Sequence, residues 1–194
     1  MVKMKKFFKN KRVLITGATG FKGAWLCQIL ELFGANILGV GYKPNKNQNL
    51  FNKLQLDKKI RTKYCDVRDY NKLKRIMFSF KPQIVFHLAA QPIIIQSYID
   101  PVGTMNINST GTLNILDILR KINSVKSVVC VTSDKCYANN FSTKGFKETD
   151  HLGGSDPYSA SKASAEIIIN AYKESYYKNK NIGLASARAG NVIG

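Results

Sequence analysis

The feature that most constrains this chain is a rhythm: short apolar, β-branched runs alternate with stretches whose apolar residues recur at helical spacing. "RVLIT" (12–16), "NILGVGY" (36–42), "RTKYC" (61–65), "IVFHLA" (84–89), "SVVCVTS" (127–133) and "IGLASAR" (182–188) read as strands. "FKGAWLCQILELFG" (21–34), "YNKLKRIMFSF" (70–80), "GTLNILDILRKI" (111–122) and "PYSASKASAEIIINAYKESYYK" (157–178) read as helices, the second closed by Lys81 and Pro82. Such alternation argues for a parallel sheet with right-handed crossovers and helices on both faces. Two segments fall outside it as long irregular connections, 43–59 and 137–156. Both follow carboxyl ends of strands, where open sheets bind ligands.

Directly after the first strand comes "GATGFKG", in which Gly17, Gly20 and Gly23 are spaced G-x-x-G-x-x-G and open the first long helix. A tight turn, close approach of backbone to a pyrophosphate and close helix packing each require a missing side chain, and the helix N-terminus offers N–H donors to an anion. Turn glycines alone would also satisfy the spacing; the strand–turn–helix context is what points to a dinucleotide. The predicted fold class is therefore α/β, a Rossmann-type doubly wound parallel sheet of six strands. Residues 1–10 form a basic extension and 11–194 an NAD(P)-binding domain.

The acid that such a turn expects roughly 20 residues on, for the ribose hydroxyls, is missing. The neighbourhood reads "GYKPN", with no acid between Glu31 and Asp57. NAD and NADP both stay open there, since Lys43 could meet a 2′-phosphate. Asp66, in "CDVRD", is a second candidate contact, to the adenine; it could equally cap the following helix, as could Asp69.

The net charge of +18 over 194 residues raises nucleic-acid binding as a question. The lysines are spread from end to end, with the densest cluster in the first twelve positions, so no dedicated patch is indicated and no nucleic-acid partner is expected. A general positive field favours an anionic small substrate. The longest apolar runs fall far short of the roughly 20 residues that cross a bilayer, and the basic N-terminus lacks a signal peptide's apolar region. No membrane association is expected, and a cytoplasmic location is. The four cysteines show no metal-ligand spacing, so reduced thiols and no metal site are expected.

"YSASK" places Tyr158 and Lys162 four apart, hence on one helix face. A tyrosine is too weak a base at neutral pH unless a neighbouring cation favours its phenolate, which Lys162 is positioned to do. An ordinary exposed pair would show the same spacing. Ser133, ending the strand before this helix, together with the glycine turn, makes chance implausible.

These residues resemble the extended short-chain dehydrogenase/reductase superfamily, the group of sugar-nucleotide epimerases and dehydratases. More narrowly, "GFKGAWL", "VFHLAAQP", "TSDKCY", "LGGSDPYSASKASAE" and "SARAGNVIG" look like the CDP-glucose 4,6-dehydratases; relatives acting on dTDP-glucose carry an acid where Lys135 stands. The resemblance implies NAD as cofactor and CDP-glucose or a related nucleotide sugar as substrate. It implies Ser133, Tyr158 and Lys162 for oxidation at the sugar's C4, with Asp134 as the acid and Lys135 at C5 for loss of water. Asp134 would need burial to raise its pKa; Lys135 would act as a base or as a cation beside the enolate.

By the same resemblance Gly17, Thr19, Gly20, Phe21 and Gly23 hold the cofactor, with Asp66, Val67 and the stretch Leu88, Ala89, Ala90 and Gln91. Asn108 organises the active-site helix, and Gln91, Ser133 and Asn191 face the substrate. His87 is expected to pack within the sheet. Ile95 stands where the family usually carries an arginine. The family also runs on well past "AGNVIG", so a fragment is expected, with an exposed sheet edge prone to aggregation. A fragment that holds cofactor without turnover is one alternative, and a related epimerase is the other. Relatives pair through helices corresponding to 104–122 and 157–179, which implies a homodimer for the full-length protein.

Overall fold

A computed structural model describes residues 2–44, 49–138 and 145–193. Parts of both irregular connections, 45–48 and 139–144, lie outside the described residues. The strands are β1 (Arg12–Thr16), β2 (Asn36–Gly41), β3 (Arg61–Tyr64), β4 (Ile84–His87), β5 (Ser127–Val131) and β6 (Gly183–Ala187). All pair in parallel, in the order β3-β2-β1-β4-β5-β6. The direction of winding reverses between β1 and β4, and ligands bind open sheets outside the carboxyl ends at such a point.

The helices are α1 (Val2–Phe8), α2 (Phe21–Leu32), α3 (Leu50–Lys53), α4 (Leu56–Lys59), α5 (Tyr70–Phe80), α6 (Ile94–Ile99), α7 (Pro101–Met105), α8 (Gly111–Leu119) and α9 (Pro157–Tyr172). The expected strands and long helices are all present; β1 and α5 match to the residue, and the others have ends trimmed by one to six residues where the chain leaves the sheet or turns over. A π-helical turn, Asn106–Thr110, joins α7 to α8, and another, Lys173–Tyr177, follows α9.

Two apolar layers sandwich the sheet. On one face Leu14, Val85 and Val128 pack with Leu73 and Met77 of α5, Leu116 of α8 and Ile169 of α9. On the other, Val13 and Ile15 meet Ala24, Cys27 and Leu30 of α2, with Phe51 and Leu56. Helices on both faces explain why the central strands are apolar along nearly every residue rather than alternating.

The connection 43–59 is not irregular throughout, which corrects the sequence expectation. Helices α3 and α4 are single turns, too short to form alone. They are held by Asn49, whose side chain accepts from the Phe51 N–H at 2.8 Å and donates to the Thr19 carbonyl at 2.9 Å, and by full burial of Phe51 and Leu56. The basic extension is likewise partly helical. Its Phe8 packs against the rings of Phe33 and Phe86, while the lysines stay in water. Among the described residues no helix is long and apolar enough to cross a membrane.

Candidate functional site

A cleft of about 420 Å³ opens at the carboxyl ends of β1, β4 and β5. Its floor is the glycine turn. Gly17 adopts φ +71°, and a Cβ there would lie 2.7 Å from the Ala89 nitrogen; a Cβ at Gly23 would lie 2.0 Å from the Gly17 oxygen. Those two glycines are required by packing of turn, helix and β4. Gly20 differs: a Cβ would meet only the Gly17 oxygen, at 3.3 Å, so its bare Cα faces the cleft. Gly20 is also the N-cap of α2 and supplies no capping side chain, which leaves first-turn N–H groups open to an anion. The residues present thus fit a dinucleotide pyrophosphate. Thr19, Phe21, Val67, Leu88, Ala89 and Ala90 line the same cleft.

At the end of β2, where an acid was sought, stands Tyr42. Its hydroxyl donates to Asp66 at 2.7 Å, and Arg68 grips the same carboxylate from Nε and Nη2. Partial burial would raise the Asp66 carboxyl, but the Arg68 and Tyr42 bonds outweigh it and hold it down to about 2. Asp66 stands behind Tyr42 rather than among the lining residues. The capping role belongs to Asp69, which accepts from the Lys72 N–H at 2.9 Å. Tyr42 was missed as a site residue because only an acid or a cation was sought at that spacing.

On the opposite wall, two residues past the end of β5, stands Ser133, an extended, buried residue that caps a single 3-10 turn, Asp134–Cys136. Its hydroxyl accepts from the Lys135 N–H at 3.2 Å and donates to Asp134 Oδ1 at 3.1 Å. Ser133, Asp134, Lys135, Tyr158, Lys162 and Asn191 all line the cleft. Asp134 is exposed, so the burial expected for it is absent: the turn projects it past the end of the strand, into the opening.

Helix α9 is fixed by Asp156, which accepts from the Ser159 N–H at 2.9 Å, with Pro157 in the first turn. Its buried face carries Tyr158 and Lys162. The net effect on Tyr158 is a rise rather than the expected lowering: burial raises the phenol, and the Ser133 side chain opposes that rise. Lys162 is itself lowered to about 8, by burial first and by the charge of Lys22 second. Lys22, one residue before Gly23, is a further cation lining the cleft.

One turn beyond Lys162, Glu166 is buried and accepts from Thr132, from Ser186 at 2.9 Å and from Arg188 at 2.8 Å. Arg188 also donates to the Tyr137 hydroxyl at 2.8 Å. A third residue at the same four-residue spacing, Y-x-x-x-K-x-x-x-E, was the available signal for Glu166.

Asn108 lies in the π-helical turn. Its amide donates to Ser161 Oγ at 2.8 Å and to the Gln91 carbonyl at 3.1 Å, and accepts from the Gln91 N–H at 2.8 Å. Asn108 therefore braces α9 from behind the cleft. Gln91, expected at the substrate, instead spends its side-chain amide on the Ile93 carbonyl and Thr104 Oγ1, both at 3.0 Å, and does not line the cleft. The four cysteines are free and buried, and no cluster of metal-ligating side chains is found among the described residues.

A parallel sheet in this strand order, a glycine turn at its first crossover and a Tyr–Lys helix across the cleft define a Rossmann-type protein of the sugar-nucleotide epimerase/dehydratase class. Residues 14–192 match the family model described as GDP-mannose 4,6 dehydratase, and the chain belongs to that family. It is 42% identical over 98% of its length to CDP-glucose 4,6-dehydratase of Salmonella typhimurium, covering 54% of that protein. It is 30% identical over 85% of its length to UDP-glucose 4-epimerase of Mycolicibacterium smegmatis, covering 52% of it. The fold is shared with UDP-glucose 4-epimerase of Thermus thermophilus in complex with NAD (TM-score 0.80, 27% identity, 94% of this chain and 56% of that one). It is shared too with an epimerase of Methanothermobacter thermautotrophicus (TM-score 0.82, 26% identity, 99% and 55%). The chain spans about half the length of the curated relatives it matches.

Proposed function

We propose that this chain is the cofactor-binding and catalytic part of a CDP-glucose 4,6-dehydratase, a hydro-lyase that uses NAD and yields CDP-4-dehydro-6-deoxyglucose for deoxysugar and O-antigen synthesis. The observation that carries this is that one cleft is lined by the glycine turn, by Ser133, Asp134 and Lys135, and by Tyr158 and Lys162. The identity to the Salmonella enzyme supports the choice of CDP-glucose.

NAD, when bound, supplies a hydride acceptor for the sugar's C4 and a donor for C6. Tyr158 removes the C4 hydroxyl proton while Ser133 hydrogen-bonds the same oxygen and the Lys162 charge favours the phenolate. The ketone at C4 acidifies the C5 proton. Lys135 serves that side, as base or as the cation beside the enolate, and Asp134 protonates the departing C6 hydroxyl. Because Asp134 is exposed, the bound sugar has to shield it from water before it can act as an acid. Asn191, at the rim, meets the sugar nucleotide.

Residues 11–194 act as one dinucleotide-binding unit, with the basic segment 1–10 docked on it through Phe8. Pairing of two copies through α8 and α9 is supported by the exposed Leu113 and Ile167 on those helices. This reading places the reaction in the cytoplasm; among the described residues no helix is long and apolar enough to cross a membrane.

The reading is tested by incubating the protein with NAD and, in parallel, CDP-glucose, GDP-mannose or UDP-glucose, and measuring the alkaline absorbance of a 4-keto-6-deoxy sugar. Product from CDP-glucose alone is expected. Inversion at C4 without loss of water would make the protein an epimerase; NAD binding with no product from any sugar would make it a dinucleotide-binding module. Within the dehydratase, Lys135→Ala should bind NAD as before but stop solvent exchange at C5, and exchange at the parent rate would remove Lys135 from that step.

A further inference from the structure

His87 is buried at the end of β4, between the glycine turn and α8, and the steps above do not use it. Its Nδ1 lies 2.6 Å from Thr16 Oγ1, the residue before Gly17, and its Nε2 lies 3.1 Å from Thr112 Oγ1. The protons along this line can be counted. The Thr112 hydroxyl has one, and it is committed at 2.6 Å to the Asn108 carbonyl, which can only accept. Thr112 Oγ1 must therefore accept from His87, so the ring carries its hydrogen on Nε2. Nδ1 is then the acceptor, and Thr16 Oγ1 donates to it while accepting from the Ala89 N–H at 3.3 Å. Every donor finds an acceptor only with the ring neutral and in this tautomer. Burial, together with the charge of Lys162, favours the neutral ring and lowers its pKa to about 3.

We propose that His87 is a positioning residue which, as the Nε2-protonated imidazole, locks the glycine turn to the π-helical turn carrying Asn108. Through the bond from Asn108 to Ser161, a line of hydrogen-bonded residues then runs from Thr16, directly before Gly17, by way of His87, Thr112 and Asn108 to the helix that presents Tyr158 and Lys162. The functional half of this proposal rests on the reading of the cleft as an NAD site. The tautomer half does not.

Nitrogen-15 NMR of the histidine-labelled protein should show, for His87, a protonated Nε2 and an unprotonated Nδ1 with no titration across roughly pH 5 to 8. A hydrogen on Nδ1, or a titrating ring, would overturn the assignment. For function, NAD binding is compared in His87→Phe, which keeps bulk and removes both bonds, and in His87→Asn, whose amide oxygen overlays Nδ1 and can still accept from Thr16. Weakening of about fivefold or more is expected for His87→Phe, with most of the affinity restored by His87→Asn. Parent-like binding by His87→Phe, in protein that retains its circular dichroism, would refute the positioning role. Equal failure of both variants would do the same. If the parent chain binds no NAD, the cofactor reading falls and takes the functional half with it, while the NMR spectrum still decides the tautomer.

Discussion

At Lys162 an amine is held almost out of water, where its charge is costly, and Lys22 adds repulsion. Its pKa falls from 10.5 to about 8, so between those values the unfolded chain binds a proton that the folded chain does not. Stability must then rise with pH through that window, and at neutral pH the folded state carries a penalty on the order of 3 kcal/mol at most. Lys162→Met should therefore melt higher than the parent at pH 7. It should also lose the rise between about pH 8 and about 10.5, and thermal melts at a series of pH values read both effects. A lower melting temperature at pH 7 would show that the ammonium stabilises the fold. The same residue illustrates function held against stability: the charge that disfavours folding is the one proposed to draw the Tyr158 phenol toward ionisation.

Helix α9 carries Tyr158, Lys162 and Glu166 at successive four-residue steps, and the last of these ties the helix to the sheet. Glu166 joins α9 to β5 through Thr132 and to β6 and the segment after it through Ser186 and Arg188. Arg188 bonds lower the Glu166 carboxyl against the effect of burial. Removing the guanidinium in Arg188→Met strands a buried carboxylate, and such losses run to about 3 kcal/mol. The loss should be larger at pH 7 than near pH 4, because only the ionised carboxylate is stranded; urea unfolding at the two pH values checks the difference. At this scale the sequence was legible where a pattern repeats and illegible where an element depends on a distant partner. The six strands and long helices are written in their periodicity. Helices α3 and α4 exist because Asn49 reaches Thr19 and Phe51 finds a core, and the π-helical turn is tied in by bonds from Asn108 to Ser161 and Gln91. None of those contacts leaves a local signature.

The site of the whole molecule divides in the same way. Ser133, Tyr158, Lys162 and the glycine turn could be named from spacing because each sits at a fixed offset from an element end. The Tyr42–Asp66–Arg68 group could not, since 24 residues separate Tyr42 from the acid it meets. The burial of Asp134 was misjudged because the apolar run before it ends at the strand, and the 3-10 turn carries the next side chain clear of the core. The four thiols have a separate consequence for the molecule as a whole. All are buried, with Cys27 and Cys130 pushed up to about 12 and Cys136 to about 11, and they are spread from the layer under α2 to the turn beside the cleft. In native buffer they should be silent to a disulfide reagent and all four should report in denaturant. Cys65, which lines the cleft, is expected to react first. The wild-type chain thus carries its own clock for local opening: the order in which these sulfurs surrender to the reagent would time how each part of the domain comes apart, with no label added.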